Sequence, residues 1–148
     1  MKVVISLGSN IGDRQNYLAG AIERIKEYIF VEKVSEFIET NPVGGPEQPD
    51  YLNAVLIGES DIAPMELLEI CLAIESEFGR VREIHWGPRT LDLDLIIIGE
   101  LQIESEKLNL PHPRAHEREF VLAPWLSIDP DGAIPGKGLI SELLAALK

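Results

Sequence analysis

Leu91-Asp92-Leu93-Asp94-Leu95-Ile96-Ile97-Ile98 alternates apolar and acidic side chains and then turns wholly apolar. A period of two is the mark of a β-strand. The spacing therefore predicts a strand with Asp92 and Asp94 on one face, roughly 6–7 Å apart at Cα. Ile96 and Ile98 are expected further along that same face. Carboxylates on a face that becomes buried need partners or a metal, and two held this close repel unless a cation lies between them. Just upstream, Gly79–Thr90 carries three arginines, Arg80, Arg82 and Arg89, and a tryptophan, Trp86. Carboxylates for a hard cation beside planar donors for phosphate oxygens make the composition of a phosphoryl-transfer site. An isolated Asp-x-Asp would read as the solvated face of a half-exposed strand; the apolar continuation favours the metal.

Working outward, Pro64–Phe78 repeats apolar residues at helical spacing, opens on proline and stops at Gly79. Leu67, Leu68, Cys71, Leu72, Ile74 and Phe78 form its apolar stripe, with Glu66, Glu69 and Glu77 on the other side. Glu75 falls inside the stripe and so requires a partner, either an arginine of the following loop or a buried backbone donor. Tyr51–Gly58 and Phe30–Glu39 read as strands, and Thr40–Asp50, with Pro42, Gly44, Gly45, Pro46 and Pro49, as the loop between them. Leu18, Ile22, Ile25 and Ile29 place a helix over Asn16–Ile29, and Lys2–Leu7 is a buried strand followed by turn residues. The order βαββαβ predicts an α+β fold, a ferredoxin-like antiparallel sheet with helices packed on it. Glu100–Lys148 extends this core with an edge hairpin, a Pro111-His112-Pro113 loop and short helices at Phe120–Ser127 and Leu139–Leu147. A chain of 148 residues has room for one domain, here taken as 1–148.

The net charge of −12 argues against nucleic acid as a partner, which calls for a basic face. Five of the seven arginines nevertheless fall between Arg80 and Arg118, which points to a local anion site for a small ligand. No run approaches the ~18 apolar residues of a membrane span, and Met1-Lys2 leads directly into a strand, so neither a membrane partner nor a signal peptide is expected. The lone Cys71 fits a buried thiol in a reducing cytoplasm. A monomer is expected.

Tyr51 and Asn53 share one face of their strand. An aromatic ring beside an amide suits a planar, hydrogen-bonding heterocycle, although a strand tyrosine is more often simple packing. In the tail, His112, Arg114, His116, Arg118 and Phe120 cluster in sequence, and a histidine among arginines can donate to a phosphate. No P-loop, Gly-x-Gly-x-x-Gly, Cys/His metal set or nucleophilic serine motif is present.

Four segments together resemble the 6-hydroxymethyl-7,8-dihydropterin pyrophosphokinase family of the folate pathway: Ser6-Leu7-Gly8-Ser9-Asn10, Gln48-Pro49-Asp50-Tyr51-Leu52-Asn53, Trp86-Gly87-Pro88-Arg89-Thr90-Leu91-Asp92-Leu93-Asp94, and Leu110-Pro111-His112 with Arg118-Glu119-Phe120. The resemblance implies transfer of diphosphate from ATP to 6-hydroxymethyl-7,8-dihydropterin, giving the pterin diphosphate and AMP. Asp92 and Asp94 would hold two Mg²⁺ ions, with Arg80 and Arg89 catalytic beside them. Arg82, Trp86, Lys107, Asn109, His112 and Arg118 would bind ATP. The pterin would stack between Tyr51 and Phe120, its edge read by Asn53 and by Thr40, Asn41 and Val43. His85 departs from the arginine common at that position of the family, and Pro113 replaces an aromatic residue. Two other readings fit parts of the sequence. A metal-dependent nucleotidyltransferase would share the aspartates but calls for a basic surface. A non-enzymatic ferredoxin-like ligand-binding domain would explain the Tyr51/Asn53 pocket but not the arginines.

Overall fold

The computed structural model describes residues 1–41, 49–79 and 90–148. Its elements follow the expected order: β1 (Lys2–Ser9), α1 (Arg14–Ile25), β2 (Phe30–Val34), β3 (Ile38–Thr40), β4 (Tyr51–Glu59), α2 (Pro64–Glu77) and β5 (Asp92–Ile98). The main sheet runs β2-β4-β1-β5, antiparallel in every pairing, and β3 adds to β4 beyond the end of β2. The extension contributes β6 (Ile103–Glu104), β7 (Asn109–Leu110), a 3₁₀ turn (Ala115–Glu117), α3 (Glu119–Ile128), β8 (Ala133–Ile134), β9 (Gly138–Leu139) and α4 (Ile140–Ala146).

The sheet is buried on both faces, which is why β1 and β4 are buried at nearly every position and carry apolar runs, Val3–Ile5 and Ala54–Ile57, rather than alternating. On one face Val3, Ile5, Leu7, Leu56 and Leu93 meet Leu18, Ile22 and Ile25 of α1 and Leu67, Cys71 and Ile74 of α2. On the other, Val4, Val55, Ile57, Ile96 and Ile97 are covered by Val121, Leu122 and Trp125 of α3 and Ile140 of α4. The C-terminal extension is thus a second helical layer. The β6–β7 hairpin forms a small sheet of its own rather than joining the edge of the main one.

Four local expectations change. The helix over Asn16–Ile29 instead spans Arg14–Ile25, started by Asp13, whose side chain accepts from the Asn16 N–H at 3.3 Å. Ile29 is buried beyond the helix end, so the apolar rhythm outlasts the helix. The strand Phe30–Glu39 is broken at Ser35, which exchanges backbone for side chain: its N–H donates to the Val55 carbonyl at 2.8 Å while its Oγ accepts from the Val55 N–H at 2.9 Å. Leu72 is 38% exposed and leaves the α2 stripe, which consists of Leu67, Cys71, Ile74 and Glu75. Finally, β5 carries a bulge. Leu95 opposes Ile5 while Ile97 opposes Val4, leaving Ile96 as the extra residue. The bulge reverses side-chain parity, so Ile96 stays on the aspartate face but Ile98 joins the α1/α2 core.

Candidate active site

Register builds the site. Gly8 of β1 lies between Asn53 of β4 and Asp92 of β5, and Ile38 of β3 opposes Asn53 in turn. The next row toward the α3/α4 layer is Val55, Ser6 and Asp94. Asn53 and Asp92 are therefore two strand spacings apart, about 10 Å, on one sheet face beyond the part that α3 and α4 cover. A Cβ added at Gly8 would lie 2.9 Å from Asn53 Oδ1 and 3.3 Å from Tyr51 Cδ1. The missing side chain is what lets the Asn53 amide and the Tyr51 ring lean over β1.

Hydrogen bonds hold the chain around Asn53 and Tyr51. Asn53 is 4% exposed, and its Nδ2 donates to Thr40 Oγ1 on β3. Asn41 follows β3 and is exposed. Asn10 Nδ2 donates to the Pro49 carbonyl at 3.0 Å. Arg14 donates to the Asp50 carbonyl at 3.0 Å and to Glu39 at 2.5 Å. The turn after β1 and the start of α1 thus fix the chain that enters β4 at Tyr51.

On the opposite side, His112 and Arg118 approach Asp94. His112 Nε2 is 4.0 Å from Asp94 Oδ1, and Arg118 Nη1 is 3.9 Å from Asp94 Oδ2. His112 is placed by its own backbone, whose N–H donates to the Ile96 carbonyl at 2.8 Å on the outer edge of β5. Its Nδ1 accepts from the Arg114 N–H at 3.2 Å, so the neutral ring carries its proton on Nε2, facing the carboxylate. Burial pushes the imidazole down to about pKa 4; Arg118 and Arg114 act the same way, and Asp92 acts against them. His112 is a neutral donor here, not half of an ion pair. The Arg118 guanidinium also lies 5.5 Å from the ring centroid of Phe120, the second residue of α3.

Asp92 and Asp94 are a hard, all-oxygen donor pair on alternate residues of a rigid strand. Among the described residues no group of three or more His, Cys, Asp or Glu could hold an ion unaided. The pair fits Mg²⁺, which takes one or two carboxylates and completes its shell with phosphate and water oxygens. Asn109 lines a groove with Gln102, Pro111, Pro113 and Lys137 that begins next to His112. Lys107 is exposed in the β6–β7 turn, outside that lining. Arg80, Arg82, Trp86, Arg89 and Val43 lie outside the described residues. A second groove around Phe30 and Glu59, at the far end of the sheet, holds none of the predicted site residues.

Two features of the site escape a reading by residue type. Gly8 matters only through its register partners, and Arg14 acts across the fold. Glu75 was legible as a carboxylate needing a partner: it is 2% exposed and accepts from the Leu93 N–H at 2.7 Å, one of the two kinds of partner expected for it.

The ferredoxin-like α+β sheet thus carries paired carboxylates at one end of a face, with a histidine and an arginine beside them and the Tyr51/Asn53 pair two strands away. Residues 4–130 match the family model of 7,8-dihydro-6-hydroxymethylpterin-pyrophosphokinase. The chain is 48% identical over 126 residues to 2-amino-4-hydroxy-6-hydroxymethyldihydropteridine pyrophosphokinase of Bacillus subtilis (strain 168), covering 84% of this chain and 75% of that one. It is 40% identical over 142 residues to the protein of the same name from Haemophilus influenzae, covering 95% and 89%. In fold it resembles a Plasmodium falciparum HPPK-DHPS crystal structure, with a TM-score of 0.73 at 13% identity, over 98% of this chain and 44% of that longer one. The chain belongs to the 7,8-dihydro-6-hydroxymethylpterin-pyrophosphokinase family, ATP-using enzymes of folate biosynthesis that transfer pyrophosphate to hydroxymethyl-dihydropterin.

Proposed function

We propose that the hydroxymethyl oxygen of 6-hydroxymethyl-7,8-dihydropterin attacks the β-phosphorus of ATP in line at the Asp92/Asp94 end of the sheet. The new O–P bond forms as the bond from the β-phosphorus to the α,β-bridging oxygen breaks, releasing AMP; the hydroxyl proton is lost to solvent or to a site carboxylate. The observation that carries this reading is the row Asn53–Gly8–Asp92, which sets a heterocycle-reading amide about two strand spacings, or ~10 Å, from a carboxylate suited to a metal.

Tyr51 and Phe120 stack on the pterin, while Asn53, Thr40, Asn41 and Val43 read its edge. Asp92 and Asp94 hold two Mg²⁺ ions, which when bound neutralise phosphate charge and orient the transferring group. His112 donates through Nε2 to a phosphate oxygen, and Arg118 supplies fixed positive charge beside it. Arg80 and Arg89 are assigned to the charge developing on the transferring diphosphate. Arg82, Trp86, Lys107 and Asn109 are assigned to the rest of the nucleotide; Asn109 is supported by its place in the groove beside His112. No covalent intermediate is required, because positioning and electrostatic stabilisation carry the step. One domain supplies every group, consistent with a cytoplasmic monomer. Among the described residues no helix is long and apolar enough to cross a membrane.

The test is product analysis with and without the pterin, on wild type and Asp94→Ala. AMP and pterin diphosphate should form together and only with the pterin present. Asp94→Ala should lose on the order of a thousandfold in turnover, about 4 kcal/mol, while the apo protein stays folded, because relief of the repulsion from Asp92 offsets loss of the partly exposed pair with Arg118. ADP as the product, or AMP release without pterin, would contradict the reading.

A further inference from the structure

Glu75 is a buried carboxylate that packing does not require. Leu67, Cys71 and Ile74 already seat α2 on the sheet by apolar contact, and burying a charge among them is costly unless it is hydrogen-bonded. The bond it makes is specific. Its Oε2 accepts from the N–H of Leu93 at 2.7 Å, and both groups are buried. Leu93 is the residue between Asp92 and Asp94, and its N–H is on the outer edge of β5, away from β1. Among the described residues β1 is the only neighbour of β5 in the main sheet, and three residues farther along the outer edge is taken by the His112 backbone. Between Glu75 and His112, the outer edge of the carboxylate-bearing strand is held at Leu93 and at Ile96, next to the bulge that would otherwise let it twist.

We propose that Glu75 is a positioning residue for the Asp92/Asp94 pair: its carboxylate fixes the intervening peptide and so sets the angle at which the two aspartates leave the strand. The inference rests on the reading of that pair as the metal ligands. A hydrogen bond of 2.7 Å to a buried amide is directional, and a metal ligand displaced by a fraction of an ångström loses affinity. What sets the peptide is the reach of Glu75 and its acceptor oxygen on Leu93.

Glu75→Gln and Glu75→Asp separate these roles. Glutamine keeps the reach and an acceptor oxygen but loses the charge; aspartate keeps the charge and loses the reach. Affinity for Mn²⁺ is measured by electron paramagnetic resonance in the presence of α,β-methylene-ATP, with amide exchange at Leu93 followed by NMR. Glu75→Gln should bind Mn²⁺ within about threefold of wild type and keep Leu93 protected. Glu75→Asp should bind at least about tenfold more weakly and lose that protection. The reverse pattern would show that charge is what matters and overturn the proposal. So would wild-type Mn²⁺ affinity in both variants with only the melting temperature changed, which is the mark of a purely structural role. Asp92→Ala and Asp94→Ala serve as controls: if they bind Mn²⁺ as wild type does, the metal reading falls and this inference falls with it.

Discussion

At the residue scale, the site depends as much on an absent side chain as on those present. Gly8 forms the floor between Asn53 and Asp92, and a methyl group there would press on the Asn53 amide oxygen and the Tyr51 ring. Gly8→Ala should therefore weaken pterin binding by about tenfold or more, ~1.4 kcal/mol. Binding of the ATP analogue alone should change less than about twofold, because the atoms nearest the added methyl belong to Asn53 and Tyr51 on β4. Paired calorimetric titrations of the two ligands check this; equal losses for both would mean the added methyl distorts β1 itself. The acidic pair, the Tyr51/Asn53 pair and the misplaced Glu75 were legible in the sequence because each breaks a local pattern. The role of Gly8 was not, because nothing near it in sequence states which residues stand opposite.

At the element scale, type was more legible than boundary. Six core elements, in the order βαββαβ, follow from apolar periodicity and turn residues, since burial on a strand or helix leaves a period in the sequence. The break at Ser35 and the bulge at Ile96 leave no such trace. In the all-apolar run Leu95–Ile98 every residue is acceptable on either face, so a reversal of parity is invisible, and Ile98 was assigned to the wrong core. The tether between α1 and the entry to β4 is likewise a product of tertiary structure. Arg14 bridges Glu39 and the Asp50 carbonyl, and so holds the end of β3 against the start of β4, directly before Tyr51. Arg14→Ala should lower pterin affinity by about three- to tenfold. It should cost no more than about 1 kcal/mol of stability, because the ion pair is largely exposed. Chemical denaturation alongside pterin titration separates the two effects; a stability loss without an affinity loss would reduce Arg14 to a structural tie.

At the scale of the whole molecule, two helical layers enclose one sheet, and the second layer stops short. α3 and α4 cover Val4, Val55, Ile57, Ile96 and Ile97, while Asn53, Gly8, Asp92 and Asp94 lie past the start of α3, where Arg118 and Phe120 stand at its rim. The sequence announces the helices of this extension but not which face they take, since that depends on the path of the chain after β5. On the proposed reading the carboxylate pair and the pterin site are one continuous site on one face. Paramagnetic relaxation tests it most directly: Mn²⁺ and α,β-methylene-ATP are added to the protein with bound 6-hydroxymethylpterin, and relaxation of the hydroxymethyl protons is measured. A Mn²⁺-to-proton distance below about 10 Å, within two strand spacings, is expected, with loss of the effect in Asp94→Ala. A pterin that stays bound while its protons relax as they do without the metal would put the two halves in separate sites and overturn the reading of one shared site.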